Sequence, residues 1–262
     1  PLAALKAVKT FNARPPYGAY SQDGGMSWTD FSSFPEGAKS GGFKSAAISA
    51  DGNVIIWAPK GLCPHRSADN GKSWEKCAGG VAAGLWPVAD TRNPGRFYVF
   101  DGVKGILWES TDAGISFKEA LSGLPKSAAY PGDDGMAEYM AAPVPGSEGD
   151  VWLACGRHGL YRYMGVEKEL VRISGFDRAY RTGFGKSAAW SLYPSVYAWG
   201  FMAGIEGFFR SDDCGKTWIR INDDRHKYGF IHCITGDPRV FGRCYVSAEG
   251  RGILYGDETA NY

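Results

Sequence analysis

The pattern Ser-x-Asp-x-Gly-x-x-aromatic occurs four times in this chain, and it constrains the fold more than any other feature. It reads Ser21 to Trp28, Ser67 to Trp74, Ser110 to Phe117 and Ser211 to Trp218. Each copy has what a tight β-hairpin turn needs: an aspartate that accepts backbone N–H bonds inside the turn, and a glycine that supplies φ > 0. The aromatic then opens the outgoing strand and can pack back over the turn, fixing its register. The copies begin 46 and then 43 residues apart, and the last follows the third by 101, two periods. A degenerate copy is therefore predicted near residue 162, where Gly159-Leu-Tyr-Arg-Tyr163 keeps the incoming strand of Gly207-Phe-Phe-Arg-Ser211 but has lost the turn Asp and Gly.

A repeat of roughly 40 to 50 residues built from strands and turns is the mark of a β-propeller with four-stranded blades. The chain reads as an all-β propeller of five blade-sized units and a partial sixth, residues 1–262 forming a single propeller domain. Its 37 glycines and 14% aromatics suit short strands joined by many turns. Expected inner strands are Lys44–Ser49, Trp86–Ala89, Tyr139–Pro143, Arg181–Phe184 and Ile231–Thr235; expected outer strands include Trp74–Cys77, Phe117–Ala120, Leu170–Ile173 and Trp218–Ile221. The first unit lacks an inner strand and the last an outer one. Pairing of residues 1 to 11 with the sheet of Cys244–Ser247 and Ile253–Tyr255 is expected to hide both edges.

A formal net charge of +1 gives no reason to expect nucleic acid or an acidic membrane surface as partner. No apolar run reaches the length of a membrane span, and no signal peptide is visible. The abrupt start at Pro1 suggests a mature form or a piece of a longer chain. Six cysteines include two pairs that flank hairpins, Cys63 with Cys77 and Cys233 with Cys244. They are read as disulfides of a secreted or periplasmic protein, the alternative being six buried apolar thiols. His65, His158, His226 and His232 have no zinc spacing, and there is no Cys-x-x-Cys, so neither metal nor cofactor is expected.

Asp23, Asp69, Asp112 and Asp213 recur within the turns and are read as structural. In a propeller these third-to-fourth-strand hairpins lie on one face, and the loops that usually meet ligands lie on the other. Second-to-third-strand loops place Lys60, Arg157, His158 and Arg251 there; fourth-to-first-strand loops place Tyr130, Asp133, Asp134, His226 and Tyr228, and Trp86 enters an inner strand from the same side. Aromatic rings can stack on the apolar faces of β-linked glucose, while Arg, His and Asp bond hydroxyls. Asp133 and Asp134 are the only loop pair considered as a substitute acid. Trp57, Trp108, Trp152 and Trp199 sit within strands and are assigned to the core.

Several stretches together resemble the C-terminal part of a family 74 glycoside hydrolase. They are Ala47-Ile-Ser-Ala-Asp-Gly-Asn-Val-Ile-Ile-Trp-Ala-Pro59, Asp90-Thr-Arg-Asn-Pro-Gly-Arg-Phe-Tyr98, Gly146-Ser-Glu-Gly-Asp-Val-Trp-Leu153, and the tail from Phe208 through Gly236-Asp-Pro-Arg239 to Gly250-Arg-Gly-Ile-Leu-Tyr-Gly256. The resemblance implies two propellers clamping a xyloglucan cleft, an inverting endo-β-1,4-glucanase, and a polysaccharide partner with a second propeller domain or chain. An inverting glycosidase needs an acid and a base roughly 6.5–9.5 Å apart. The family's two aspartates have no counterpart at matching positions here, so the expectation is a substrate-cleft propeller without its own catalytic residue. The alternative reading is a non-catalytic β-glucan-binding propeller. A sialidase would need an Arg-Ile-Pro segment near the start, which is absent.

Overall fold

The computed structural model describes residues 6–12, 14–42, 45–126 and 140–258. The fold is all-β, with six antiparallel sheets as the blades of a β-propeller. The chain divides into two compact units, 1–124 with 146–149, and 125–145 with 150–262.

The first unit carries three sheets. One has three strands, β1 (Ala7–Thr10), β2 (Gly18–Ser21) and β3 (Thr29–Asp30). The next has β4 (Ala46–Ile48), β5 (Ile55–Trp57), β6 (His65–Ser67) and β7 (Glu75–Lys76), and the third β8 (Pro87–Ala89), β9 (Phe97–Asp101), β10 (Ile106–Ser110) and β11 (Lys118–Leu121). The second unit carries β12 (Met140–Pro143), β13 (Asp150–Ala154), β14 (Leu160–Met164) and β15 (Glu169–Ile173), then β16 (Phe176–Gly185), β17 (Ser195–Met202), β18 (Ile205–Ser211) and β19 (Ile219–Arg220). Its last sheet has three strands, β20 (Ile231–Gly236), β21 (Cys244–Ala248) and β22 (Gly252–Gly256).

Second strands such as β9 (Phe-Tyr-Val-Phe-Asp) and β13 (Asp-Val-Trp-Leu-Ala) are buried along their whole length. Covered on both faces, they read as apolar runs rather than alternations. Trp57 and Trp152 are fully buried, Trp199 nearly so, and Trp108 is also in the core. Burying one such ring removes roughly 150–250 Å² from water, about 4–6 kcal/mol before ordering costs.

The four repeated turns share one hydrogen-bond pattern. Ser21 Oγ donates to Asp23 (2.8 Å) and accepts the Gly25 N–H (2.8 Å), while Asp23 accepts the Ser27 N–H (2.9 Å) and hydroxyl (2.6 Å). Asp69 with Ser73, Asp112 with Ser116 and Asp213 with Thr217 repeat it. The residue before the glycine is left-handed in every copy, at Gly24, Asn70, Ala113 and Cys214. In three copies the glycine that follows packs against side chains from an adjoining sheet or the loop beside it: a Cβ on Gly215 would stand 2.7 Å from Trp152, one on Gly114 2.1 Å from Ile56 and one on Gly71 2.3 Å from Phe31. Trp218 then packs edge-on to Trp152 and Phe176 (centroids 6.2 and 4.9 Å). Near residue 162, β14 instead turns directly into β15, with Lys168 left-handed.

Two expectations are corrected. All six cysteines are free. The Pro64 carbonyl accepts the Cys77 N–H, so Cys63 is one residue out of register with Cys77; Cys233 faces Ser247 while Cys244 faces Gly236. A one-residue slip turns a side chain to the other face of a sheet, so flanking a hairpin did not place the sulfurs opposite each other. The N-terminal strand is the second correction. Ala7–Thr10 pairs with β2 in its own sheet and does not complete that of β21 and β22.

Candidate functional site

The loop between β19 and β20 borders a cavity of about 700 Å³ whose walls are β18, β19, β21 and β22. The sequence Asn222-Asp-Asp-Arg-His226 shapes this loop through its own side chains. Asn222 accepts the Phe208 N–H (2.7 Å) and donates to the carbonyls of Asp223 and His226 (both 3.0 Å). Asp223 accepts the N–H groups of Arg225 and His226, the turn that Asp favours. Tyr228 and Gly229 are both left-handed and bend the chain back towards β20.

The same Asp223 oxygen accepts from His226 Nδ1 at 2.6 Å. This bond fixes the imidazole and leaves Nε2 for an outside partner. The His226 hydrogen bond also holds the Asp223 carboxyl below its ordinary value of 3.8. Arg220 does the same for Asp224 through a 2.7 Å hydrogen bond, and Arg243 for Asp257, which it grips at 2.6 and 2.9 Å. The Tyr228 ring stacks on Phe208 (centroids 6.4 Å, 18° apart), lies 5.8 Å from His226, and has the Arg251 guanidinium 5.9 Å from its centre. One loop end thus joins an aromatic face, an oriented imidazole and a guanidinium, a set that suits a neutral polyhydroxylated ligand.

Of the sequence-predicted residues, His226, Tyr228 and Arg251 come together here. Arg157 and His158 stand in the turn between β13 and β14, where the His158 N–H is donated to the Cys155 carbonyl; Arg157 is exposed and neither lines the cavity. Trp86 lies in the other compact unit, half-buried just before β8. Tyr130, Asp133 and Asp134 lie outside the described residues. Asp223, Arg220 and Tyr255 were missed. The Asp223–His226 pair has a signal in its three-residue spacing, whereas Tyr255 enters only through the sheet. Buried Asp90 and Asp237 are carboxylates already engaged: Asp90 accepts the N–H groups of Arg92, Asn93 and Gly149, and Asp237 those of Arg239 and Val240 with the Tyr245 hydroxyl. Among the described residues no group of three or more His, Cys, Asp and Glu could hold a metal ion.

No family model matches the chain. It is 40% identical over 245 residues to the xyloglucanase Xgh74A of Acetivibrio thermocellus, a match covering 93% of this chain and 27% of that protein. It is 34% identical over 266 residues to an oligoxyloglucan-reducing end-specific xyloglucanase of Emericella nidulans, covering 91% of the chain and 32% of the relative. Among solved structures, the GH74 xyloglucanase from Xanthomonas campestris superposes with a TM-score of 0.86 at 35% identity, over 97% of this chain and 35% of that one. The chain therefore spans only about a third or less of the proteins it matches. By sequence and by fold, over more than nine-tenths of its own length, it is homologous to one part of the GH74 xyloglucanases.

Proposed function

We propose that this chain is a xyloglucan-recognising propeller of a GH74 endo-β-1,4-glucanase, residues 1–262 acting as one domain that supplies part of a substrate cleft. The observation that carries the reading is the 40% identity to a xyloglucanase over 93% of the chain. In it, Tyr228 stacks on a glucose or xylose ring, while His226 and Arg251 bond hydroxyls. Trp86, Arg157 and His158 are further sugar contacts, and Asp23, Asp69, Asp112 and Asp213 hold turns. Hydrolysis by this chain alone is not part of the proposal. A glycosidase acid needs a raised pKa, whereas Asp223 and Asp257, which line the cavity, are both lowered by the hydrogen bonds they accept from His226 and Arg243. The acid and base would belong to a fuller cleft, completed by a second propeller domain or chain. A polymeric glycan is met outside the cytoplasm, which supports a secreted or periplasmic setting. No metal or cofactor enters the proposal.

Calorimetric titration with xyloglucan oligosaccharides tests the site. Tyr228→Ala should weaken binding at least tenfold and His226→Ala several-fold, measured at a temperature where both variants remain folded. Full affinity in both variants would remove this loop from the sugar site.

A further inference from the structure

The loop from Asn222 to Tyr228 spends its polar side chains on holding one histidine. Asp223 Oδ1 accepts the N–H groups of Arg225 and His226 at 2.9 and 3.0 Å and also meets His226 Nδ1 at 2.6 Å. The Asn222 amide donates to the carbonyls of both Asp223 and His226, tying the two ends of the turn together. Burial plays little part, since the Asp223 and His226 side chains are 61% and 55% exposed. The imidazole is therefore fixed in direction by the loop's own bonds and stays open to a ligand. The adjacent carboxylate does not compete for it: Asp224 is engaged by Arg220 at 2.7 Å and by Lys227 at 3.7 Å.

This arrangement decides where the imidazole proton sits. An ionised carboxylate only accepts, so the 2.6 Å contact requires the proton on Nδ1. A neutral ring has a single N–H, and Nε2 is then a bare acceptor, the reverse of the tautomer a histidine prefers in water. Beside the same Tyr228 ring, 5.8 Å from His226 between centroids, the Arg251 guanidinium offers donors only. One aromatic face is thus flanked by an acceptor and by a donor. A carboxylate or an ether oxygen satisfies only the donor; a sugar hydroxyl gives and takes, and satisfies both.

We propose that Asp223 is a positioning residue for glycan recognition: by fixing His226 as the Nδ1–H tautomer it makes Nε2 the acceptor for a hydroxyl of the sugar stacked on Tyr228. The inference rests on the glycan-site reading above and adds to it the direction of the hydrogen bond and the residue that sets it. Arg251 donates to the same hydroxyl or to its neighbour on the sugar ring. Asp223 itself touches no sugar and acts only through His226.

Two measurements on the full chain test this. Imidazole nitrogen NMR at about pH 8.5, above the range in which histidines titrate, should show His226 protonated at Nδ1 and bare at Nε2. Asp223→Asn, which keeps an oxygen facing the three donors, should give the same spectrum, and Asp223→Ala should move the proton to Nε2. Calorimetry with a xyloglucan oligosaccharide should find Asp223→Ala about fivefold weaker, the worth of one hydrogen bond, and Asp223→Asn within about twofold of the parent. Adding Asp223→Ala to His226→Ala should cost nothing further. A loss from Asp223→Ala that persists without His226 would overturn the proposal, because the aspartate would then only hold the loop. So would an Nε2–H tautomer in the parent. A parent with the Nδ1–H tautomer that binds no oligosaccharide would refute the glycan reading and the role of Nε2 with it, the spectrum separating that failure from a misplaced proton.

Discussion

Replacing Asp150 by alanine should be the most damaging single carboxylate loss in the second compact unit. Asp150 is 7% exposed and holds Arg162 through two bonds, from Nε at 2.9 Å and Nη2 at 2.5 Å; the Tyr193 hydroxyl donates to it at 2.9 Å. Tyr193 in turn accepts the Trp152 indole N–H (2.8 Å), so the cluster reaches the centre of the core. Removing one partner of a buried ion pair costs roughly 3–5 kcal/mol, since the other charge is left uncompensated. Arg162 retains 20% exposure and can draw on water, which puts the expectation at about 3 kcal/mol. That is about a hundredfold in the folding equilibrium. Urea unfolding followed by tryptophan fluorescence measures it. The double variant Asp150→Ala with Arg162→Met should regain more than half of the loss, because it removes the stranded charge. A loss below about 1 kcal/mol, or a double variant no better than the single, would refute the argument that burial sets the cost.

Further predictions concern the turns and the thiols. The Asp69 carboxyl is held down at about 2: burial opposes this, and bonds from Ser73, Ser67 and the Lys72 N–H prevail. Its stabilisation is present above the unfolded value of 3.8 and is lost as pH falls through about 2, so the melting temperatures of Asp69→Asn and the parent should differ at pH 5 and converge by pH 2. Gly215→Ala forces a side chain into φ of +85°, 2.7 Å from Trp152, and should cost roughly 2–4 kcal/mol in urea unfolding; a loss of a few tenths would mean that the turn shifts freely. Thiol titration in denaturant without reductant should count six free cysteines; a count of two would restore the disulfides.

Much of this architecture is legible in the residues. Second strands show as apolar runs, and β14 and β22 lie where Leu160–Tyr163 and Ile253–Tyr255 were expected. The misses have local causes. Outer strands were drawn from Trp74 and Trp218 onwards but begin one residue later, because the aromatic leaves the ladder to pack inward; the Trp218 indole N–H is donated to the Gly215 carbonyl (3.1 Å). Strand β16 starts at Phe176, five residues before the expected Arg181, since two register shifts break the alternation by which a strand is recognised. Of the residues proposed for sugar binding, His226, Tyr228 and Arg251 could be nominated from loop position. Their meeting could not, because it depends on a left-handed Tyr228 and on β22 bringing Arg251 across from another connection.

Glycan binding by the purified chain is the most direct test of the account. Titration with xyloglucan should give saturable binding, a β-mannan of equal length should not compete, and reducing ends should not accumulate from either polymer. Absence of xyloglucan binding, or steady release of reducing ends by this chain alone, would contradict the account.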